Sequence, residues 1–309
     1  MSELAHMLSF SPLLERATTL PSAVVAGAMG GSASAAAAAG FVSGRRIFLY
    51  ESYGLPEEAS SDTLCLAVSY SGHTAETLSF ADEALKRGFP LAVVASGGPL
   101  LSLARAAGAP AAVVPEGFPP RDALPYLLRA ALSLLSEDDA LKQLESALPD
   151  EDALAKEAEA LAALIEGKLP LIYTAPGNAL LARIFKMYCN ETAKIPAFTG
   201  IVPERAHDEL QGFDPQGPHK ELNSRFAALF IRSARDDRRI VPQLDLYKTF
   251  LSEAGIGTRE LVLSGDTRAA DLIYGWALAR DATTLFAKRH GLDPALAPLT
   301  ASFKQRLSP

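Results

Sequence analysis

The fold is decided by residues 63–87, which read TLCLAVSYSGHTAETLSFADEALKR. The run at 63–68 is almost entirely apolar, which is typical of a strand buried on both faces of a parallel sheet. From Thr74 to Arg87 apolar residues recur at helical spacing, which predicts a helix. A short loop rich in hydroxyl groups separates the two elements. The stretch therefore predicts a strand, a loop and a helix, which is the repeating unit of an α/β protein.

The same alternation extends to both sides of this stretch. In the first half we predict strands at Val24–Ala26, Arg46–Tyr50, Thr63–Val68, Leu91–Ala95 and Ala111–Val114. Helices are predicted at Ser32–Phe41, Thr74–Arg87, Pro99–Ala107 and Arg121–Leu135. Continuous apolar strands that alternate with helices indicate a parallel sheet covered on both faces.

The pattern restarts after an acidic helical stretch at 136–160. Further strands are predicted at Leu169–Thr174, Phe226–Arg232 and Arg259–Leu263. Further helices are predicted at Ala179–Lys194, Leu244–Ala254, Thr267–Lys288 and Ala297–Leu307. A chain of 309 residues exceeds what one core usually holds. We therefore expect two α/β domains, 1–140 and 161–309, joined by a helical connector at 141–160.

Composition narrows the class of function. The net charge is −7 and the basic residues are scattered, so no nucleic-acid partner is expected. The N-terminus lacks the pattern of a signal peptide, and the alanine-rich stretch 33–39 is too short to span a bilayer, so no membrane association is expected. The two cysteines lie in apolar segments, which predicts buried thiols and a cytoplasmic protein. Cysteines and histidines without close spacing predict no metal site.

Residues 69–74, SYSGHT, predict a phosphate site. They lie at the carboxyl end of a parallel strand and before a helix, where unpaired N–H groups and the helix dipole favour an anion. Ser69, Ser71 and Thr74 offer three hydroxyl donors, and Gly72 permits close approach of the backbone. Ordinary N-capping by Ser71 or Thr74 is the alternative, although a cap needs only one hydroxyl.

Two further glycine-containing turns follow strands. One is Met29–Ala33, which opens the first predicted helix, and the other is Ser96–Gly98. Each turn alone is weak evidence for a ligand site, because many strand-to-helix connections need glycine. If all three turns follow neighbouring strands of one parallel sheet, they converge on one crevice.

These motifs, in this order, resemble the sugar-isomerase (SIS) domain superfamily, and in particular the bifunctional phosphoglucose/phosphomannose isomerase family. The resemblance is carried by MGGSA at 29–33, SYSGHT at 69–74, SGG at 96–98, PPR at 119–121, NETAK at 190–194 and PERAHDELQGF at 203–213. It implies two tandem SIS domains, each a doubly wound parallel sheet of the flavodoxin-like three-layer type. It also implies a homodimeric, metal-independent enzyme without a cofactor, which interconverts glucose 6-phosphate, and by its family name mannose 6-phosphate, with fructose 6-phosphate.

The resemblance also implies roles for individual residues. The implied contacts to substrate are made by Gly30, Gly31, Ser32, Ser69, Ser71, Thr74 and Lys304. Glu191 would be the catalytic base, Arg121 would stabilise the developing enediolate, and His207, from the neighbouring subunit, would open the sugar ring.

Without the resemblance, the residues themselves also allow non-catalytic interpretations. Glu191 could form an i,i+3 surface ion pair with Lys194, and a loop histidine such as His207 is usually inert. The acids Glu204, Asp208 and Glu209 could raise the pKa of His207 and orient its ring.

The sequence departs from the family pattern at several positions. The residues His73, Pro99, Thr192 and Asp208 stand where the family usually has asparagine, lysine, asparagine and asparagine. Ala297 stands where a threonine is tied to mannose 6-phosphate, with Thr300 nearby. The mannose activity is therefore less firmly predicted than the glucose activity.

Other classes of protein remain open from the sequence. A non-catalytic or regulatory sugar-phosphate-binding SIS protein is the main alternative, although the short N-terminus has no room for a DNA-binding helix-turn-helix. The isomerase half of an amidotransferase would need an N-terminal cysteine nucleophile domain. A dehydrogenase would need GxGxxG, which the segment at 28–31 does not fit, and a P-loop would need its lysine.

Overall fold

The structure, a computed structural model, describes residues 2–15, 20–57 and 59–307. The chain forms two compact units, one of residues 1–148 and 266–273 and the other of residues 149–265 and 274–309. The boundary between the two units falls between Leu148 and Pro149, so the predicted connector at 141–160 is divided between them.

The first unit alternates strands and helices along the chain. Its strands are β1 Leu13–Glu15, β2 Ala23–Ala28, β3 Ile47–Tyr50, β4 Thr63–Val68, β5 Leu91–Ala95 and β6 Ala111–Val113. Its helices are α1 Glu3–Ser9, α2 Gly30–Ser43, α3 Ala75–Lys86, α4 Gly98–Ala107, α5 Leu124–Leu134 and α6 Asp138–Glu145.

The sheet of the first unit has the order β1-β6-β5-β4-β2-β3. Strands β2 to β6 are parallel, and their order relative to the chain is that of a flavodoxin-like doubly wound sheet. The α/β fold class predicted from the sequence is therefore confirmed. The added strand β1 runs antiparallel to β6 at the edge of the sheet and was not predicted.

Both faces of this sheet are covered. Helices α3 and α4 pack on one face, where Cys65, Ala67 and Val93 share a core with Phe80 and Leu100. Helices α2 and α5 pack against each other and against the opposite face. Every residue of β4 is buried, which explains why its sequence shows an apolar run without alternation.

The second unit repeats the architecture with fewer strands. Its strands are β7 Leu169–Thr174, β8 Phe198–Ile201, β9 Phe226–Ser233 and β10 Gly257–Leu263. Its helices are α7 Glu151–Leu164, α8 Ala179–Glu191, α9 Val241–Glu253, α10 Arg268–Arg289 and α11 Pro298–Leu307, although residues 268–273 of α10 belong to the first unit. The sheet is parallel in the order β10-β9-β7-β8.

The predicted strands are all present, and the second unit adds β8, which the sequence did not predict. Its four residues are FTGI, which lack a continuous apolar run, and two of them are exposed at the sheet edge. Among the described residues, no helix has the length and apolarity needed to cross a membrane.

Both cysteine thiols are free, and both are buried. Burial raises the pKa of Cys65 to about 11 and that of Cys189 to about 12, from a model-compound value of 9.0. We therefore expect a chromogenic thiol reagent at pH 8 to label neither residue in the native protein and both in urea. Because the unfolded chain loses these protons first as pH rises, the two thiols lower the free energy of unfolding above about pH 9. Rapid labelling of the native protein would contradict the burial.

Candidate functional site

The predicted phosphate loop lies at the carboxyl end of β4, between Val68 and the start of α3 at Ala75. The hydroxyl groups of Ser69 and Thr74 are hydrogen-bonded to each other at 2.9 Å. Thr74 is the N-cap residue of α3, but its side chain makes no capping hydrogen bond. Ser71 accepts the His73 N–H at 3.3 Å instead of capping the helix. Neither hydroxyl therefore serves as the N-cap that was the alternative interpretation of this loop.

The loop fits closely against the turn at Ser96–Gly98. The Ser96 hydroxyl donates to the Tyr70 carbonyl at 2.7 Å, and the Leu100 N–H donates to the Gly72 carbonyl at 3.1 Å. Gly72 has φ +68°, and a Cβ there would lie 2.0 Å from the Gly97 carbonyl oxygen. Only glycine allows this approach of two main chains.

Gly72→Ala is expected to disrupt this fit. A matched control is Gly54→Ala, because Gly54 has φ +70° and no atom within 4 Å of its added Cβ. The control therefore bears only the left-handed backbone penalty of roughly 1–2 kcal/mol. We expect Gly72→Ala to lower the free energy of unfolding by about 2 kcal/mol more than the control. Urea denaturation measures both values, and equal losses would contradict the close fit.

The first glycine turn meets the same loop. The Ser32 hydroxyl accepts the Tyr70 N–H at 3.0 Å, and a Cβ on Gly31 would lie 2.8 Å from the Pro120 carbonyl oxygen. Gly30, the first residue of α2, has φ +54° and open space where its Cβ would be. Four segments of the first unit, at 29–33, 69–74, 96–98 and 119–121, therefore meet at the carboxyl edge of its sheet.

Arg121 lies in a turn rather than at the start of a helix, which corrects the sequence prediction. The N–H groups of Asp122 and Ala123 bond to the Pro119 carbonyl, and α5 begins only at Leu124. The Arg121 residue is 3% exposed. A buried guanidinium can stabilise negative charge on a group bound next to it.

Tyr70 was missed as a contributor to this site. Its hydroxyl donates to the Pro115 carbonyl at 3.0 Å and accepts the Phe118 N–H at 2.9 Å. Burial raises the pKa of Tyr70, so the hydroxyl remains a donor at neutral pH. Tyr70 thus links the phosphate loop to the segment that leads to Arg121. The only signal in the sequence was one aromatic residue within a polar loop.

In the second unit, Glu191 is the last residue of α8, and its side chain is partly buried. Lys194 has φ +62°, and its ammonium donates to the carbonyls of Glu191 at 2.7 Å and Thr192 at 3.1 Å. Asn190 accepts the Ala197 N–H at 3.1 Å. The NETAK motif therefore ends the helix through its own side chains, which fixes the position of Glu191.

His207 is exposed and follows a short 3-10 helix at Glu204–Ala206. Two of the three acids expected to orient it are engaged elsewhere. Asp208 pairs with Arg205 at 3.0 Å, and Glu209 accepts the hydroxyl of Tyr173. Among the described residues, the His207 imidazole has no hydrogen-bond partner.

Strand β8 separates Glu191 from His207 along the chain. Glu191 ends α8, and the side chain of its neighbour Asn190 accepts the N–H of Ala197, the residue before β8. His207 comes six residues after β8 ends at Ile201.

Lys304 lies on α11, where it is exposed. The same helix exposes Leu299, Phe303 and Leu307 at helical spacing, with 64–84% of each residue accessible. Among the described residues, no group of three or more histidine, cysteine or acidic side chains is arranged to hold a metal ion.

Comparison with known proteins gives the class and then the family. The profile described as "Bacterial phospho-glucose isomerase C-terminal SIS domain" matches residues 154–307. A hypothetical protein of known structure from Thermus thermophilus aligns with a TM-score of 0.70 and 21% identity, covering 94% of this chain and 84% of its own, which shows the fold.

Sequence relatives are more specific. The bifunctional phosphoglucose/phosphomannose isomerase of Aquifex aeolicus is 31% identical over 262 residues, covering 84% of this chain and 81% of its own. The D-glucosamine-6-phosphate 4-epimerase of Sulfolobus acidocaldarius is 33% identical over 174 residues, which are 54% of this chain and 56% of its own. This chain belongs to the bifunctional phosphoglucose/phosphomannose isomerase family, which confirms the resemblance seen in the sequence.

Proposed function

We propose that this chain is an aldose–ketose isomerase that interconverts glucose 6-phosphate and mannose 6-phosphate with fructose 6-phosphate through a cis-enediol. The observation that carries the proposal is the meeting of four segments in the first unit. There the hydroxyls of Ser69, Ser71 and Thr74 precede a helix N-terminus that has no side-chain cap. Such a site suits a phosphate dianion.

Glu191 is proposed as the catalytic base. Its carboxylate takes the proton from C2 of the open-chain aldose, and the electron pair of that C–H bond forms the C1–C2 double bond as the O1 carbonyl is protonated. The O2 hydroxyl then loses its proton, the O2 carbonyl forms, and the same carboxylate returns its proton to C1. A positioned base contributes about 10²–10⁴ in rate. The capped end of α8 supports this role, because it fixes the main chain from which the Glu191 side chain extends.

Arg121 is proposed to stabilise the enediolate, and Gly30, Gly31 and Ser32 to contact the sugar. The guanidinium is buried, so its charge is less screened than it would be at the surface. The turn at 29–33 brings main-chain groups to the same crevice as the hydroxyl loop. A preorganised cation at developing negative charge typically lowers the barrier by a few kcal/mol, about 3.

His207 is proposed to protonate the ring oxygen, and to do so in the active site of a neighbouring subunit of a homodimer. Support comes from the exposure of His207, whose imidazole bonds to no other described residue of its own chain. The exposed stripe of Leu299, Phe303 and Leu307 also supports association with a second copy, because stripes of large apolar residues are usually covered.

Lys304 is proposed to reach the substrate, and Thr300 to support the mannose activity. Thr300 and Lys304 are four residues apart on α11, so they lie on the same face of the helix. Thr300 could thus supply the hydroxyl that Ala297 lacks. We propose that the chain acts in the cytoplasm, which the two free thiols support.

A coupled assay tests the proposal. Fructose 6-phosphate is supplied in EDTA, and glucose 6-phosphate and mannose 6-phosphate are read out by separate coupling enzymes. We expect turnover to glucose 6-phosphate, and to mannose 6-phosphate at a lower rate. Glucosamine 6-phosphate is tested in parallel for a 4-epimer product. A chain that is inert but thermally stabilised by fructose 6-phosphate would instead be the non-catalytic binding protein.

A further inference from the structure

We propose that Glu209, held by Tyr173 and Tyr247, is a positioning residue for His207. This inference rests on the proposed role of His207 in ring opening. It concerns how Glu209 supports the histidine-bearing segment, residues 202–213, through two tyrosines to which no role was assigned from the sequence.

The first observation is a carboxylate that receives two tyrosine hydroxyls. The hydroxyl of Tyr173 donates to Glu209 Oε1, and the hydroxyl of Tyr247 donates to the same oxygen at 3.4 Å. Each tyrosine residue is 1% exposed. Their rings pack with a centroid distance of 4.9 Å. The acceptor on the loop is thus tied to the core of the second unit through β7 and α9.

The second observation is the space that Gly200 leaves for Tyr173. Tyr173 on β7 pairs with Gly200 on β8. A Cβ on Gly200 would lie 2.5 Å from the Tyr173 ring and 2.7 Å from the Arg205 side chain. The absence of a side chain at Gly200 therefore lets the Tyr173 ring lean over β8 toward the loop that follows it.

The third observation is that few other contacts within the same chain fix the position of His207. The residue is exposed, and its main-chain N–H bonds to the Glu204 carbonyl. The side chains that enter the core are Val202 before it and Leu210 and Phe213 after it. Glu209 is two residues from His207, so their Cα atoms are at most about 7 Å apart. The bond from Tyr173 thus fixes the main chain within two residues of the imidazole.

The chemistry of the three side chains suits a permanent attachment. Burial raises the pKa of Tyr173 and that of Tyr247, so both hydroxyls stay protonated at the pH where an isomerase works. A hydrogen bond to a charged acceptor is stronger than one between neutral groups, which makes the attachment firm. A general acid must lie within hydrogen-bond reach of its target, so a small displacement of His207 would slow ring opening.

Tyr173→Phe tests this inference, because it removes the donor and keeps the ring. We expect kcat on cyclic fructose 6-phosphate to fall about tenfold. The affinity for a five-carbon aldonic acid phosphate, an acyclic mimic of the enediolate, should stay within about twofold, because binding it needs no ring opening. Glu209→Gln and Tyr247→Phe provide second variants, and Tyr274→Phe, a partly buried tyrosine on α10, is the matched control.

The decisive comparison is made in the His207→Ala background. If Glu209 acts through His207, Tyr173→Phe should cause no further loss of kcat there. Another tenfold loss in that background, or equal weakening of the acyclic ligand, would assign Tyr173 a general structural role and overturn the inference. Full activity of His207→Ala would overturn the proposed role of His207 and this inference with it. Wild-type kcat in both Tyr173→Phe and Glu209→Gln, with His207→Ala impaired, would overturn the positioning role alone.

Discussion

Glu191→Gln is expected to lower kcat for fructose 6-phosphate by about 10³-fold or more while KM changes less than about threefold. The amide keeps the size and most hydrogen bonds of the carboxylate, but it cannot accept the proton from carbon. Because the phosphate would be held in the first unit, loss of the base should affect turnover and leave binding nearly intact. Steady-state kinetics in both directions measures the two constants.

Glu253→Gln is the matched control for this variant. Glu253 is the last residue of α9, as Glu191 is the last residue of α8, and it is exposed. We expect wild-type kinetics from Glu253→Gln. Exchange of the substrate C2 proton with solvent deuterium should also vanish in Glu191→Gln. Retained exchange would mean that another group is the base and would remove Glu191 from the mechanism.

Mixing two inactive variants is expected to restore activity if His207 acts across a subunit interface. Glu191→Gln and His207→Ala homodimers each lack one group in both sites. A heterodimer formed from one subunit of each has one site with both groups intact and one site with neither. Random reassortment of equal amounts should therefore recover about one quarter of wild-type activity, an increase of at least about 100-fold over either variant.

Reassortment needs a step that dissociates the subunits, such as brief exposure to urea followed by dilution. The control is each variant carried through the same step alone. If His207 served the site of its own chain, every site in the mixture would lack one group, and no activity would return. Size-exclusion chromatography at the assay concentration reports the dimer independently, and a monomer that is fully active would contradict the arrangement.

The first-unit fold could be predicted well from the sequence, because its central strands β2, β4 and β5 are buried on both faces and read as apolar runs. Leu91–Ala95 is predicted with the same limits that the structure has. The strands β1 and β8 were missed because their short sequences, LLE and FTGI, hold no apolar run like IFLY, which marked the equally short edge strand β3.

In the candidate site, too, some residues could be predicted from the sequence and others could not. Motif residues such as Ser71 and Gly72 stand together in the sequence, so their loop could be located before the structure was known. The partners Tyr70–Pro115 and Tyr173–Glu209 are 45 and 36 residues apart, and only the tertiary fold brings them together. The expectation that Asp208 orients His207 was wrong, because Arg205, three residues away in the same loop, takes that carboxylate.

The main-chain junction between the loop at 69–74 and the neighbouring glycine turn has a consequence for sequence divergence. Gly72 and Gly97 meet backbone to backbone, and the His73 ring adds a bond between its Nδ1 and the Ser71 carbonyl oxygen at 2.7 Å. Pro99 lies in the first turn of α4, where a helix needs no N–H donor, and His73 is exposed. Position 99 can therefore hold proline without loss of a helix hydrogen bond, whereas the side chain at 73 takes part in holding the loop.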